Sequence, residues 1–325
     1  MLVRVVVGRL GPGSGTGGQA WLLARGLVAR GHTVVVSCRS ADAVPAGVEV
    51  EVGRRPGGRP GEVRLALDRV PGCDVVRASG GVHRAWAPRS WRWRDLREAA
   101  RDRAAIRTAR VVVCNSRRAA GEVVAWHGVP QAQLRVVRNG VDLVRLRPSP
   151  RRPQRGRTAL FLGTGWRRKG LDAAIAAFRE AAGPADRLVV LGRDARPGRW
   201  IPAARRQLGD QLEVVPACDP VPWLAQADAL LHPTRYDASA NAVLEAMACG
   251  IPPVTTACDG AAEIVPDRRL VVGNPRDVAG LARALRVAWE GGSRLGALCR
   301  DAAEAWPDTR MVGAMEQILE ECGHG

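Results

Sequence analysis

Asp228–Val265 constrains this chain more than any other stretch, because its local signals all describe one unit. Asp228–His232 is a short apolar run of the length that forms a buried parallel strand. Pro233–Ala238 is a polar loop, and Ser239 stands where an N-cap would open a helix over Ala240–Cys249. Gly250 supplies the C′ stop and Pro252 and Pro253 forbid continuation, so Val254–Ala257 reads as the next strand. Such a strand–loop–helix–strand unit binds ligands at the carboxyl ends of its strands. Asp237 in the loop and Glu245 in the helix stand eight positions apart. The helix N-terminus between them offers unpaired N–H groups and a positive dipole end that suit a phosphate. A ligand with a diphosphate and several hydroxyls, such as a nucleotide sugar, would satisfy all three features.

At 325 residues the chain exceeds one typical core and predicts two domains. It has no run of about 18 apolar residues, so a membrane-spanning helix is not expected, and Met1–Val7 leads straight into a strand without a signal-peptide pattern. The eight cysteines are scattered with no C-x-x-C, which predicts reduced core thiols in a cytoplasmic protein. The net charge of +17 admits nucleic acid, an anionic membrane or an acidic substrate as partner. Much of that charge is general arginine usage, and against it the single lysine, Lys169, marks a position that needs a point-charge ammonium.

Leu2–Gly8 reads as a buried strand feeding the glycine-rich loop GRLGPGSGTGG, a helix over Thr16–Arg30 and a second strand at Thr33–Cys38. That order is doubly wound, although glycines alone mark a phosphate site only weakly. Val48–Val52, Asp74–Ala78, Arg110–Cys114 and Leu134–Val137 are further strands. His83 lies just past one strand end, a place where a lone histidine serves most often as a surface hydrogen-bonding residue. Trp86, Trp91 and Trp93 alternate with arginines before a helical stretch that ends near Arg110. Trp and Arg together suit a membrane interface, while the interleaved Asp95, Glu98 and Asp102 favour a solvated helix face. Leu146–Arg157, rich in Pro and Arg, reads as a linker. The pattern then restarts with a strand at Thr158–Gly163 and a helix at Gly170–Ala182. Between them Arg167, Arg168 and Lys169 stand at a strand's carboxyl end, well placed for a diphosphate. Arg187–Leu191, Gln211–Val215 and Leu270–Gly273 extend the second sheet, and Pro275–Glu290, Ser293–Ala305 and Asp308–Glu321 are helical.

D-A-S-A-N-A-V-L-E-A-M-A-C-G-I-P resembles the E-x7-E signature of the family-four retaining glycosyltransferases, with Asp237 in place of the first Glu. The flanking LLHPTRYD and VTT are nearest to the branch containing the lipopolysaccharide-core glucosyltransferase. The resemblance implies an α/β GT-B fold of two facing Rossmann-like domains. Residues 1–147 would form the acceptor side, 148–305 the nucleotide-sugar side, and 306–325 a helix returning to the first domain. By the family's motifs, Arg168 and Lys169 would hold the donor diphosphate together with the amides of Ser239, Ala240, Asn241 and Ala242. Asp237 would contact the transferred sugar and Glu245 the ribose. A G-x-x-H-R-like stretch would bring His83 to the sugar or the acceptor, and Gly15, Thr16 and Gln19 would serve the acceptor. N-S-R at Asn115–Arg117 and N-G-V-D at Asn139–Asp142 also match.

The activity so implied is retaining transfer of a hexose from a nucleoside diphosphate sugar, with uridine favoured, to a glycan, glycolipid or other hydroxyl acceptor in cell-envelope or lipopolysaccharide-type biosynthesis. No cofactor or metal is expected, since no D-x-D motif stands in a suitable place. The expected partners are the donor, a hydroxyl acceptor that includes lipid-linked ones, and the anionic cytoplasmic face of a membrane, without nucleic acid. Two rivals stand beside this reading. An epimerase on the same fold would share the phosphate site, and a basic nucleic-acid-binding protein would explain the charge.

Overall fold

The structure, a computed structural model, describes residues 1–12, 15–53, 59–87, 90–150 and 156–323. Residues 13–14 of the glycine-rich loop, 88–89 of the Trp/Arg stretch and 151–155 of the expected linker lie outside them. The chain divides into two compact units, Met1–Asp142 with the segment from Trp306 onward, and Leu143–Ala305.

The first unit contains the strands β1 (Leu2–Leu10), β2 (Thr33–Ala41), β3 (Val48–Val52), β4 (Glu62–Ala66), β5 (Val75–Arg77), β6 (Val111–Cys114) and β7 (Leu134–Val136). Between them run helices α1 (Thr16–Ala29), α2 (His83–Trp86), α3 (Trp93–Thr108) and α4 (Arg117–His127). Every strand pair is parallel, in the order β3-β2-β1-β4-β5-β6-β7. Parallel sheets are covered on both faces, which is why β1 reads as nearly continuous valine. Val3, Val5 and Val7 join the core with Leu23, Ala24 and Leu27 of α1. Arg4, 1% exposed, reaches Glu51 at 2.6 Å, Ser37 at 2.7 Å and Glu62 at 2.8 Å, so a buried charge is fully compensated. In this unit β4, α2 and α4 escaped the sequence reading.

The second unit contains β8 (Thr158–Thr164), β9 (Arg187–Arg193), β10 (Leu212–Val215), β11 (Ala229–Leu231), β12 (Pro253–Thr256) and β13 (Val271–Val272). Its helices are α5 (Trp166–Lys169), α6 (Leu171–Ala181), α7 (Ile201–Leu208), α8 (Val221–Leu224), α9 (Asn241–Ala248) and α10 (Val278–Glu304). The order β10-β9-β8-β11-β12-β13 is again parallel throughout. The two helices expected on either side of residue 292 join as α10, kinked where Gly292 takes φ 48° and ψ −135°.

The final helix, α11 (Asp308–Gly323), belongs to the first unit. It buries Met311, Val312, Met315, Ile318, Leu319 and Cys322 in the core that holds β1 and α1. Fully burying such a side chain contributes about 1.5–3 kcal/mol, so the first unit depends on this distant segment. Close approach requires glycine at the contact. A Cβ on Gly140 would stand 2.6 Å from Asp308 Cα. Arg25 to Asp308 at 2.6 Å and Arg30 and His32 to Glu316, each at 2.7 Å, fix the helix from outside. Each sheet reverses its winding once, between β1 and β4 in the first and between β8 and β11 in the second. Crevices for ligands open at such switch points.

Candidate functional site

The second unit's switch point holds the lone lysine. Left-handed Gly165 and Gly170 bracket α5, the short turn after β8. Gly170 admits no side chain, because with φ +78° its Cβ would lie 2.1 Å from Pro233 O in the loop after β11. That loop is hydrogen-bonded to α5, with Arg235 N donating to Arg168 O at 2.8 Å and Thr234 Oγ1 donating to the same carbonyl at 3.1 Å. The two strand ends are thus tied together where Asp237 follows.

Lys169, 8% exposed, donates from Nζ to Asp237 Oδ2 and lies 3.2 Å from His232 Nε2. Arg168 Nη1 reaches the same carboxylate oxygen at 3.0 Å and Tyr236 O at 2.9 Å. Burial pushes the Asp237 carboxyl up, but Lys169 and Arg168 more than offset it and hold the group well below the usual carboxylate range. Burial and then Lys169 drive His232 well below the usual imidazole range, so its neutral ring accepts from the ammonium. Nothing in the sequence reading had singled out His232.

Glu245 lies on α9, half-buried, and its Oε2 is inaccessible and without a hydrogen-bond partner. Burial raises its carboxyl to about 7, against partial opposition from Arg145 and Lys169. A carboxyl kept in such a place without a donor is ready for a ligand hydroxyl.

The start of α9 corrects the expected cap. The helix begins at Asn241, its N-cap is Ala240, and no side chain of the cap residue bonds the first turn. Instead Asp259 reaches in from the loop after β12. Its Oδ1 accepts from Ala240 N at 3.0 Å and Ala261 N at 2.9 Å, and its Oδ2 accepts from Thr255 Oγ1 at 3.0 Å. The Ala240 amide is therefore engaged within the protein. Burial and the neighbouring Asp237 carboxylate raise Asp259 to about 6. The same loop clamps Asp237 by its backbone, with Asp237 N donating to Cys258 O and Gly260 N to Asp237 O, each at 3.0 Å.

In the first unit the expected residues part company. Gln19 is spent on structure, exchanging two hydrogen bonds with the Gly140 backbone at 3.0 and 3.2 Å. Gly15 is the N-cap of α1 at φ 93°, and Thr16 opens the helix. His83 begins α2, its Nε2 3.1 Å from Asp95 Oδ1 and its N–H donating to Asp102 at 2.6 Å, so α3 holds it from both ends. Ser116 of N-S-R caps α4 by accepting from Ala119 N at 3.0 Å. Asn139 of N-G-V-D accepts from buried Arg77 at 3.0 Å. Arg77 is held by oxygen acceptors alone, Nε and Nη1 have no partner, and burial lowers it to about 10. A cavity of about 320 Å³ opens at this unit's switch point, lined by Gly8, Arg9, Thr16, Gly17, Arg39 and Asp68 among others. Arg39 and Asp68 were not foreseen.

Two Rossmann-like units with charged groups at the carboxyl ends of parallel strands define the GT-B class. Its likeness to solved structures is high over the whole chain. WaaG, a glycosyltransferase involved in lipopolysaccharide biosynthesis, superposes with a TM-score of 0.82 at 20% identity over 98% of this chain and 99% of that one. Anabaena HepE in complex with UDP and glucose gives 0.77 at 16% identity over 99% and 100%. At these identities the likeness shows the fold. Residues 156–290 match the profile of glycosyl transferases group 1, and residues 74–145 that of Glycosyltransferase Family 4. Both matched profiles are of glycosyltransferases, the class that the fold and these matches define. Glycogen synthase of Mycobacterium tuberculosis is 34% identical over 173 residues, which span 51% of this chain and 42% of that relative.

Proposed function

We propose that this chain transfers a hexose from a nucleoside diphosphate sugar, UDP-linked by preference, to a hydroxyl acceptor with retained anomeric configuration and without a metal. The observation that carries the reading is the convergence of Arg168, Lys169 and Asp237 at the second switch point, on the unit where Glu245 keeps an unpartnered Oε2. The two cations bind the donor diphosphate, Asp237 accepts from hydroxyls of the transferred sugar, and Glu245 accepts from the ribose. Of the amides expected at the start of α9, that of Ala240 is taken by Asp259, which leaves those of Ser239, Asn241 and Ala242 to add to the phosphate site. Thr16, Gly15 and His83 serve the acceptor or the transferring sugar.

In the step itself the C1–O bond to the diphosphate breaks and its electron pair stays on the leaving oxygen. The acceptor oxygen bonds to the same face of C1, and the acceptor's proton departs with the diphosphate. Arg168 and Lys169 stabilise the charge that develops on the leaving oxygen, which is work a metal does elsewhere. Preference for UDP is supported by HepE, whose complex contains it. Trp91 and Trp93, 82% and 76% exposed beside Arg92 and Arg94, support docking on an anionic membrane at the cytoplasmic face, and hence a cell-envelope glycan or glycolipid acceptor. Among the described residues no helix is long and apolar enough to cross a membrane.

The test is turnover of UDP-hexoses in chelator with a panel of hydroxyl acceptors, the product's anomeric proton coupling being read by NMR. Retained configuration in a glycoside is expected. Inverted product, or a donor isomerised with no acceptor present, overturns the proposal.

A further inference from the structure

The cavity of the first unit has a chemistry of its own. It sits at the switch point between β1 and β4, where a doubly wound sheet accepts ligands. Two glycines keep its floor bare. A Cβ on Gly8 would lie 2.7 Å from Arg39 Nη2 and 2.9 Å from Asp68 Oδ2, so a guanidinium from β2 and a carboxylate from the segment just past β4 converge over naked backbone of β1. A Cβ on Gly17 would strike Arg9 O at 2.5 Å, so only glycine lets α1 start against the end of β1.

The charges are unequal in availability. Arg9 is neutralised by Asp42 through bonds of 2.6 and 2.9 Å. Asp68 accepts the Gly8 N–H. Arg39 makes no hydrogen bond and no ion pair with any described residue. The first turn of α1 contains no acidic residue, and its cap contributes no side-chain acceptor, so the positive end of that helix adds to Arg39. Thr16 and Ser40 supply hydroxyls, and Val7 is the one large apolar side chain in the lining. Such a cavity suits a hydrophilic group and not an acyl chain.

We infer that the first unit's switch-point cavity binds the acceptor through an anionic group, phosphate or carboxylate, on a polyhydroxylated ring, with Arg39 taking the anion and Asp68 a ring hydroxyl. That the bound molecule is the acceptor rests on the transferase function proposed above. The site itself stands on the cavity and the converging pair. An Arg fork matches both phosphate and carboxylate oxygens, and a carboxylate standing across from it accepts from a ring hydroxyl.

The experiment is direct binding of glucose 6-phosphate and glucuronic acid, each against glucose, to the full-length protein by titration calorimetry. Wild type, Arg39→Ala, Arg39→Lys and Lys169→Ala are compared. The anionic ligands are expected to bind about tenfold or more tightly than glucose, with Arg39→Ala removing that preference. Arg39→Lys should recover part of it, and Lys169→Ala should leave it intact. A preference for phosphate over carboxylate, or the reverse, names the anion. Equal binding of charged and neutral sugars in wild type overturns the inference, as does a preference that survives Arg39→Ala. A preference lost in Lys169→Ala but kept in Arg39→Ala assigns the binding to the second unit and also overturns it. Loss of nucleotide-sugar binding by wild type would instead count against the transferase reading, because Arg39 takes no part in that site.

Discussion

Glu245→Gln is expected to stabilise the empty protein while it disables the donor site. The wild-type carboxyl rises from 4.5 to about 7, chiefly through burial, and its Oε2 has no partner to repay ionisation. A carboxyl raised in the folded state costs nothing below its unfolded value, because neither state is ionised there. As pH climbs the unfolded chain ionises first, so stability falls until the folded group ionises as well. The window runs from about 4.5 to about 7, and the full cost at neutral pH is at most about 3 kcal/mol. Glutamine keeps the shape and never ionises. Urea unfolding of both proteins from pH 4 to 8 reads the difference directly, and titrations common to both cancel. The variant should match wild type near pH 4 and exceed it by a growing margin to a plateau above about 7. A variant less stable than wild type at neutral pH, or a margin independent of pH, would refute the claim that this carboxyl is held in a site built for something else.

Lys169→Ala leaves Asp237 buried without its ammonium partner and should cost about 3 kcal/mol or more in urea unfolding. Because Asp237 is held below its ordinary 3.8, its contribution is complete above that value and fades as pH falls beneath it, so the variant should lose much of the wild type's acid limb. Gly170→Ala meets both a left-handed backbone and Pro233 O and should destabilise by more than about 1 kcal/mol, with lower donor affinity because Lys169 is displaced. Unchanged melting would contradict the close approach. Asp259→Ala removes the acceptor of two amides and a hydroxyl, each worth about 1 kcal/mol, and should speed hydrogen exchange at Ala240 and Ala261 above all.

The fold was legible because each half repeats short strands of two to nine residues separated by polar, glycine-rich turns, a pattern with few solutions. Local signals placed Asp237 in a loop, Glu245 in a helix and Arg168 and Lys169 just past a strand end, since each of these can be read from adjacent residues. What they could not supply was non-local. Ser239 fits an N-cap by type, yet it is Asp259, nineteen positions beyond Ala240, that bonds the Ala240 amide. His232 read as the end of a strand, and its meeting with Lys169 depends on β8 lying beside β11. Gln19 has a polar head suited to a ligand, but the backbone at Gly140 takes it. Arg39 lies on β2 and Asp68 just past β4, on either side of β1, and they carry no motif, so only the sheet order brings them together. β4 went unread between glycine-rich and proline-containing turns because Glu62 and Arg64 mask its apolar alternation.

The central claim is that Arg168, Lys169, Asp237 and Glu245 form one donor site. It is tested most directly by the melting temperature of wild type, Lys169→Ala and Glu245→Gln with a panel of nucleotide sugars in the presence of a chelator. A ligand at 100 times its Kd adds about 2.7 kcal/mol of stability, which a melting curve resolves. One donor, a UDP-hexose, is predicted to shift wild type and to shift neither variant. A panel in which no nucleotide sugar moves wild type, or in which both variants respond as wild type does, would contradict the account.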